Sequence, residues 1–185
     1  EKTPFLKHGE YTVNPIYIGP TLVPYRNPLQ IEFYLPKNKP LDKTNSIYYF
    51  DAAKERWIFM NSDIDTIKNT ISTNILSGEI FAVINETIPP NIITLIPDVG
   101  GSYNQNSLKK ITFKIDDNLS GILNENNIAL SVDNNPMIFE YNSYRKEIIL
   151  ELENTLSIGK HLISIDVSDN AGNHKLKSGN FYIIP

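Results

Sequence analysis

Apolar residues recur at every second position in run after run of this chain. In the segment 29–35, Leu29, Ile31, Phe33 and Leu35 share one face, while Gln30, Glu32 and Tyr34 share the other. In 161–167, Ile163, Ile165 and Val167 oppose Leu162, Ser164 and Asp166. A period of two marks a half-buried strand, whereas an amphipathic helix repeats at about 3.6. The residue usage agrees. There are 27 isoleucines and 22 asparagines against five alanines, so strand and turn formers dominate and the best helix former is scarce.

The strands come in two successive sets. The first holds a short strand before Gly19-Pro20, the strand 29–35 between Pro28 and Pro36, and a hairpin of 46–51 with 56–60. In that hairpin Trp57 and Phe59 share one face, Ile58 and Met60 the other. A second hairpin is expected from 70–75 and 79–84, turning through Leu76-Ser77-Gly78. A short helix over 63–71 is the competing reading there, weakened by Thr66, Asn69 and Thr70. The second set runs from Ile92 through 108–115, 128–132, 137–141 and 147–152 to a final pair around Ser168-Asp-Asn-Ala-Gly-Asn173. Short strands at roughly ten-residue spacing indicate a sandwich or barrel. Pro89-Pro90 between the sets favours an extended, stiff connection. The expected organisation is therefore all-β: a sandwich over 1–86, a Pro-Pro linker at 87–91 and a second sandwich over 92–185.

Several classes are excluded or disfavoured. Without cysteine there is no disulfide, thiolate metal site or cysteine nucleophile. Seventeen bases against 21 acids give a net charge of −4, and the basic runs are pairs such as Lys109-Lys110. A nucleic-acid footprint is missing. No apolar run approaches the roughly 18 residues of a membrane span. Glu1 reads as an internal start, so the chain is expected to be a piece of a larger protein whose first domain need not begin here.

Motifs then suggest a family. The elements Asp116-Asp-Asn-Leu-Ser-Gly-Ile122, Ile158-Gly-Lys-His-Leu-Ile-Ser-Ile-Asp-Val167 and the Asp169-Asn-Ala-Gly-Asn173 turn, entered through Thr87-Ile-Pro-Pro-Asn91, span roughly 88–185. This half resembles a bacterial immunoglobulin-like (fibronectin-III-like) domain of exported and surface proteins. The first half is more loosely similar to a companion β-sandwich, through Tyr17-Ile-Gly-Pro20, Ile47-Tyr-Tyr-Phe-Asp51, Trp57 and Phe81-Ala-Val83. Such tandems occur at the C-terminal ends of secreted proteins, some of them peptidoglycan-cutting zinc peptidases. The resemblance implies a non-catalytic spacer or attachment module outside the cytoplasm: extracellular, at the cell surface or periplasmic. Its expected partners are other domains of the same protein, cell-wall glycan or a surface protein.

The candidate chemistry is sparse. His8, His161 and His174 lack metal-ligand spacing, and no HExxH, GxSxG or phosphate loop occurs. His161 reads as a structural strand or turn residue. Asp116, Asp117 and Asp169 sit at strand ends that a sandwich can bring together, and such oxygens suit calcium. The same acids equally cap turns, beside Gly121 and Gly172 where positive φ is expected. An enzyme would need a cleft with two such acids and a histidine. No cofactor besides that calcium is expected. Rings can stack on sugars, and Tyr141 and Tyr144, flanking the Asn142-Ser143 turn, are the candidate ligand contacts. Tyr48, Tyr49 and Trp57 are further ring candidates, with core packing the expected role of Trp57. A carbohydrate or cell-wall-polymer binding module is thus the alternative function.

Overall fold

The computed structural model describes residues 3–21, 23–36, 38 and 41–185. The chain is all-β apart from one 3-10 turn, Glu125–Asn127, among those residues. It divides into two compact units. Unit 1 is Glu1–Ile88 with Asn118–Ser120 and Ala171–Asn173; unit 2 is Pro89–Asp117, Gly121–Asn170 and His174–Pro185.

Unit 1 contains β1 (Glu10–Tyr17), β2 (Pro24–Tyr34), β3 (Asn45–Asp51), β4 (Arg56–Met60), β5 (Asp63–Asp65), β6 (Thr70–Ser77) and β7 (Ile80–Asn85). They form two antiparallel sheets, ordered β1-β7-β3-β4 and β2-β6-β5. Proline placement fits this order. Pro15 lies in β1, and Pro24 and Pro28 lie in β2, all on edge strands where a missing N–H breaks no ladder. The alternation seen in the sequence points Ile31, Phe33, Ile71 and Ile75 of one sheet at Ile47, Phe81 and Val83 of the other. The opposite face of the four-stranded sheet is also apolar. Tyr48, Trp57, Ala82 and Ile84 are buried there beneath Leu6, Tyr11, Phe59 and Leu119.

The expected hairpin of 70–75 with 79–84 does not form. β6 pairs with β2 and β5, while β7 pairs with β1 and β3. The chain instead changes sheets at Gly78. A Cβ there would lie 2.2 Å from the Ile18 carbonyl oxygen and 2.5 Å from that of Pro20. Gly78 N–H donates to Pro20 O at 3.2 Å. Glycine lets two main chains meet at the crossing, a cause that a hairpin turn mimics in sequence. The 63–71 helix is also absent. β5 leads into a turn in which Asp65 accepts the N–H groups of Ile67 and Lys68, and Asn69 takes positive φ.

Unit 2 contains β8 (Asn91–Ile96), β9 (Ser102–Asn104), β10 (Lys110–Asp116), β11 (Ile128–Val132), β12 (Asn135–Pro136), β13 (Glu140–Asn142), β14 (Glu147–Glu151), β15 (Gly159–Ser168) and β16 (His174–Ile184). One sheet is ordered β13-β14-β10-β8 and the other β12-β11-β15-β16-β9. The expected 137–141 strand is replaced by the short β12 and β13 at two sheet edges. Phe113, Ile111 and Ile148 from one sheet pack on Leu130, Ile163, Ile165 and Phe181 from the other. Every described strand pair here is antiparallel except β9 with β16.

The register fixes the path of the chain through unit 2. Asn91 pairs with Asp116, and the Ser168–His174 turn lies at that same leading pole, where Asn170 N–H donates to Gly121 O. Ile183 pairs with Gly159 at the other end of β15, the trailing pole. The first strand of unit 2 therefore starts at one pole and its last strand, β16, ends at the other. In unit 1, by contrast, Glu10 pairs with Asn85, so first and last strands meet at one end.

Two substitutions check this packing. Phe113→Ala removes a ring that is 1% exposed, and its expected cost is about 3–5 kcal/mol in urea unfolding. Gly78→Ala places a methyl against two carbonyl oxygens, with an expected cost of about 1–3 kcal/mol. Losses below about 0.5 kcal/mol would contradict the core and the crossing respectively.

Candidate functional site

The three predicted calcium-ligand acids part company. Asp169 is buried, and its carboxylate lies within 4.8 Å of that of Asp117. Asp117 Oδ2 accepts the Gly121 N–H at 2.7 Å, the capping role expected of a turn residue. Gly121 and Gly172 both have positive φ, at 79° and 85°. Asp116 faces elsewhere and pairs with the Lys146 ammonium. The topology thus brings Asp117 and Asp169 together and leaves Asp116 outside.

The predicted ring contacts differ just as clearly. Tyr144 is 95% exposed at the tip of the β13–β14 turn. Tyr141 is half-buried against the unit 2 core, and burial, then the Asp116 carboxylate, raises its phenol pKa. The other rings considered for a sugar platform are withdrawn into unit 1. Tyr48 and Trp57 are buried, and Tyr49 packs on the inter-sheet core. Trp57 meets Tyr11 edge-on at 5.8 Å and Phe50 at 5.3 Å. Both faces of the four-stranded sheet are covered, so rings from either face of β3 and β4 are lost to packing.

His161 occupies a built polar site. It is 5% exposed and stacks on Phe181 at 5.5 Å. Nε2 lies 2.8 Å from Ser157 O, and Nδ1 lies 2.7 Å from Asp133 Oδ2. A carbonyl and a carboxylate are both acceptors, so this geometry favours the doubly protonated ring over either neutral tautomer. Burial alone would lower the His161 pKa, but the Ser157 carbonyl and Asp133 outweigh it and the pKa is raised. Burial likewise pushes Asp133 up, and the Leu162 N–H and His161 reverse that to a lowered pKa. Asp133 and Asn134 both adopt positive φ, a conformation that short polar side chains tolerate in a two-residue turn. That turn aims the Asp133 carboxylate at the strand beside it.

The sequence reading passed over Glu86. It is 1% exposed. Its Oε2 accepts from Tyr48 Oη and from Ser120 N–H, each at 3.1 Å. Its own N–H donates to Thr44 O, and Asn173 Nδ2 donates to its carbonyl at 2.9 Å. Ser120 Oγ in turn accepts the Ala171 N–H. Unit 1 thus includes two short segments distant in sequence, tied around one buried acid. A glutamate ahead of Thr-Ile-Pro-Pro carries no local sign of burial; the signal lies in partners 34 and 87 residues away.

No family model matches the chain, and no curated protein does. Among solved structures, CopC from Methylosinus trichosporium OB3b aligns with 51% of this chain and 95% of its own, at 14% identity and a TM-score of 0.40. No helix among the described residues is long and apolar enough to cross a membrane.

Two measurements test these sites. Glu86→Ala strands a buried hydroxyl and a buried N–H, with an expected loss of about 2–5 kcal/mol; Glu86→Gln keeps an acceptor and loses less. Equal losses would contradict the acceptor role. The raised His161 pKa means that its contribution is complete below the unfolded value of about 6.5 and fades as pH rises through the folded value. The lowered Asp133 pKa adds stability above about 3.9, lost as pH falls through the folded value. The pair therefore stabilises most between those limits. The urea midpoint of the wild type is expected to fall between pH 6 and pH 9 more steeply than that of Asp133→Asn. Parallel profiles would contradict the ion pair.

Proposed function

We propose that this chain is a non-catalytic spacing and attachment piece of a larger bacterial exported protein, its second unit an immunoglobulin-like module. The observation that supports this reading best is that the first strand of unit 2 starts at the leading pole and its last strand ends at the trailing pole. A module traversed end to end lengthens a chain by its own height. A unit whose first and last strands meet at one end, as in unit 1, instead presents its surface beside the chain path. Unit 1 then serves as the attachment element and unit 2 as the spacer, in an extracellular, cell-surface or periplasmic setting.

Spin labels at Asn91→Cys and Pro185→Cys in the full chain are expected to lie about 30 Å apart, because the ten-residue β15 spans about 33 Å. A separation below about 20 Å would contradict the spacer path. The carbohydrate-binding alternative has one observation in its favour, the fully presented Tyr144 ring. A pull-down on purified peptidoglycan with a glycan array separates the two. No saturable binding is expected of the spacer, and saturable binding lost in Tyr144→Ala would establish the alternative.

A further inference from the structure

A sheet edge presents unpaired N–H and C=O groups, and folded proteins guard it with proline, a bulge, charge or a very short strand. Among the described residues, the four sheets have eight edge strands. Seven carry such a guard. β1 holds Pro15 and two register shifts, and β2 holds Pro24 and Pro28. β8 lies between Pro89-Pro90 and Pro97 and shifts register against β10. β5, β9, β12 and β13 are two or three residues long.

β4 is the exception. It pairs with β3 without a shift, from Ile47 opposite Met60 to Asp51 opposite Arg56. It holds no proline and no lysine, and after Arg56 it reads Trp-Ile-Phe-Met. No described strand other than β3 pairs with it. Ile58, Phe59 and Met60 are left half-buried.

The charges at its two ends select what completes it. Arg56 opens β4, and Asp63 stands three residues beyond Met60, at the start of β5. Both are exposed. The neighbouring charges are spent on each other, Lys54 with Asp51 and Lys68 with Asp65, while neither Arg56 nor Asp63 forms an ion pair among the described residues. A base at the start and an acid past the end make an edge complementary to its own antiparallel copy. Pairing two β4 strands about a dyad at Ile58 sets Ile58 opposite Ile58, Trp57 opposite Phe59 and Arg56 opposite Met60. Directly opposed residues share a face. Trp57 and Phe59 therefore stay in the layer with Leu6 and Tyr11, and Arg56 and Ile58 stay on the side of Met60, toward the sheet that contains β5. On that side the arginine of each copy runs toward the Asp63 carboxylate of the other. A parallel pair would set Arg56 on Arg56 and Asp63 on Asp63.

We propose that β4 is a homotypic docking edge, through which two copies of this chain join antiparallel into one continuous eight-stranded sheet with Arg56 and Asp63 as its matching charges. The proposal goes beyond the attachment role of unit 1 and does not rest on it.

Five residues per copy make a small interface, under about 1,200 Å², so the dimer is reversible. Sedimentation of the full chain is expected to show monomer at about 1 μM and a substantial dimer fraction at about 200 μM. Arg56→Asp and Asp63→Arg, both at exposed positions, are each expected to weaken association about tenfold or more by opposing like charges twice. The double variant reverses the polarity of the contact and is expected to return to within about threefold of wild type. The chain has no cysteine, so Ile58→Cys supplies a single thiol at the dyad. Under mild oxidation it is expected to yield a disulfide-linked dimer faster than Tyr144→Cys, whose site is 95% exposed but lies in unit 2. A chain that stays monomeric at the higher concentration would overturn the proposal. So would single variants that associate like wild type, a double variant no better than the singles, or equal crosslinking of the two thiols.

Discussion

The structure depends on apolar packing between facing sheets, because nothing covalent joins them. With no cysteine in the chain, isoleucine and phenylalanine from alternating positions must hold each sandwich closed. In unit 2 the pleat directs Ile111 and Phe113 of β10, and Ile163 and Ile165 of β15, into one shared interior. In unit 1 the same rule operates from β6 and β7. The β1-β7-β3-β4 sheet carries apolar residues on its second face as well, which is why Trp57 and Tyr48 are interior residues there. Branched side chains suit this task, since they are stiff at χ1 and fill the pleated surface well.

Two buried polar groups inside this apolar frame are held from several sides. Glu86 is surrounded by a hydroxyl, two main-chain groups and an amide. His161 is clamped between a carbonyl and a carboxylate. A half-satisfied buried network costs more than an apolar core, whereas a complete one specifies a single arrangement. Each site joins strands to loops that sequence separates widely, so its contribution is to register and to loop position. The turn residues act similarly. Asp117 and Asp133 each spend a carboxylate oxygen on a main-chain N–H, of Gly121 and Leu162 respectively.

Much of the all-β architecture was legible because alternation is a local signal. The faces of β2, β4 and β15 follow directly from the spacing of Ile31 and Phe33, of Trp57 and Phe59, and of Ile163 and Ile165. The turns at Gly121 and Gly172 were legible too, since positive φ has a narrow set of hosts. Pairing was not. The sequence around Gly78 looks like a hairpin turn, and only the close approach of Ile18 and Pro20 makes it a crossing between sheets. The candidate acids were half legible. Asp117 and Asp169 converge as strand ends in a sandwich can, while Asp116, one residue away, turns to Lys146 on a neighbouring element. Glu86 was invisible because its burial is decided by residues far along the chain.

The central claim is that two separate inter-sheet cores, each built from alternating strand residues, carry the stability of this chain. Native-state amide hydrogen exchange on the full chain tests it most directly, because protection follows the opening free energy segment by segment. The interior strands β10, β15, β6 and β7 are expected to exchange slowest, and the edge strands β1, β2, β12 and β13 markedly faster. Rapid exchange in β10 or β15, or protection in β2 equal to that in β6, would contradict the account.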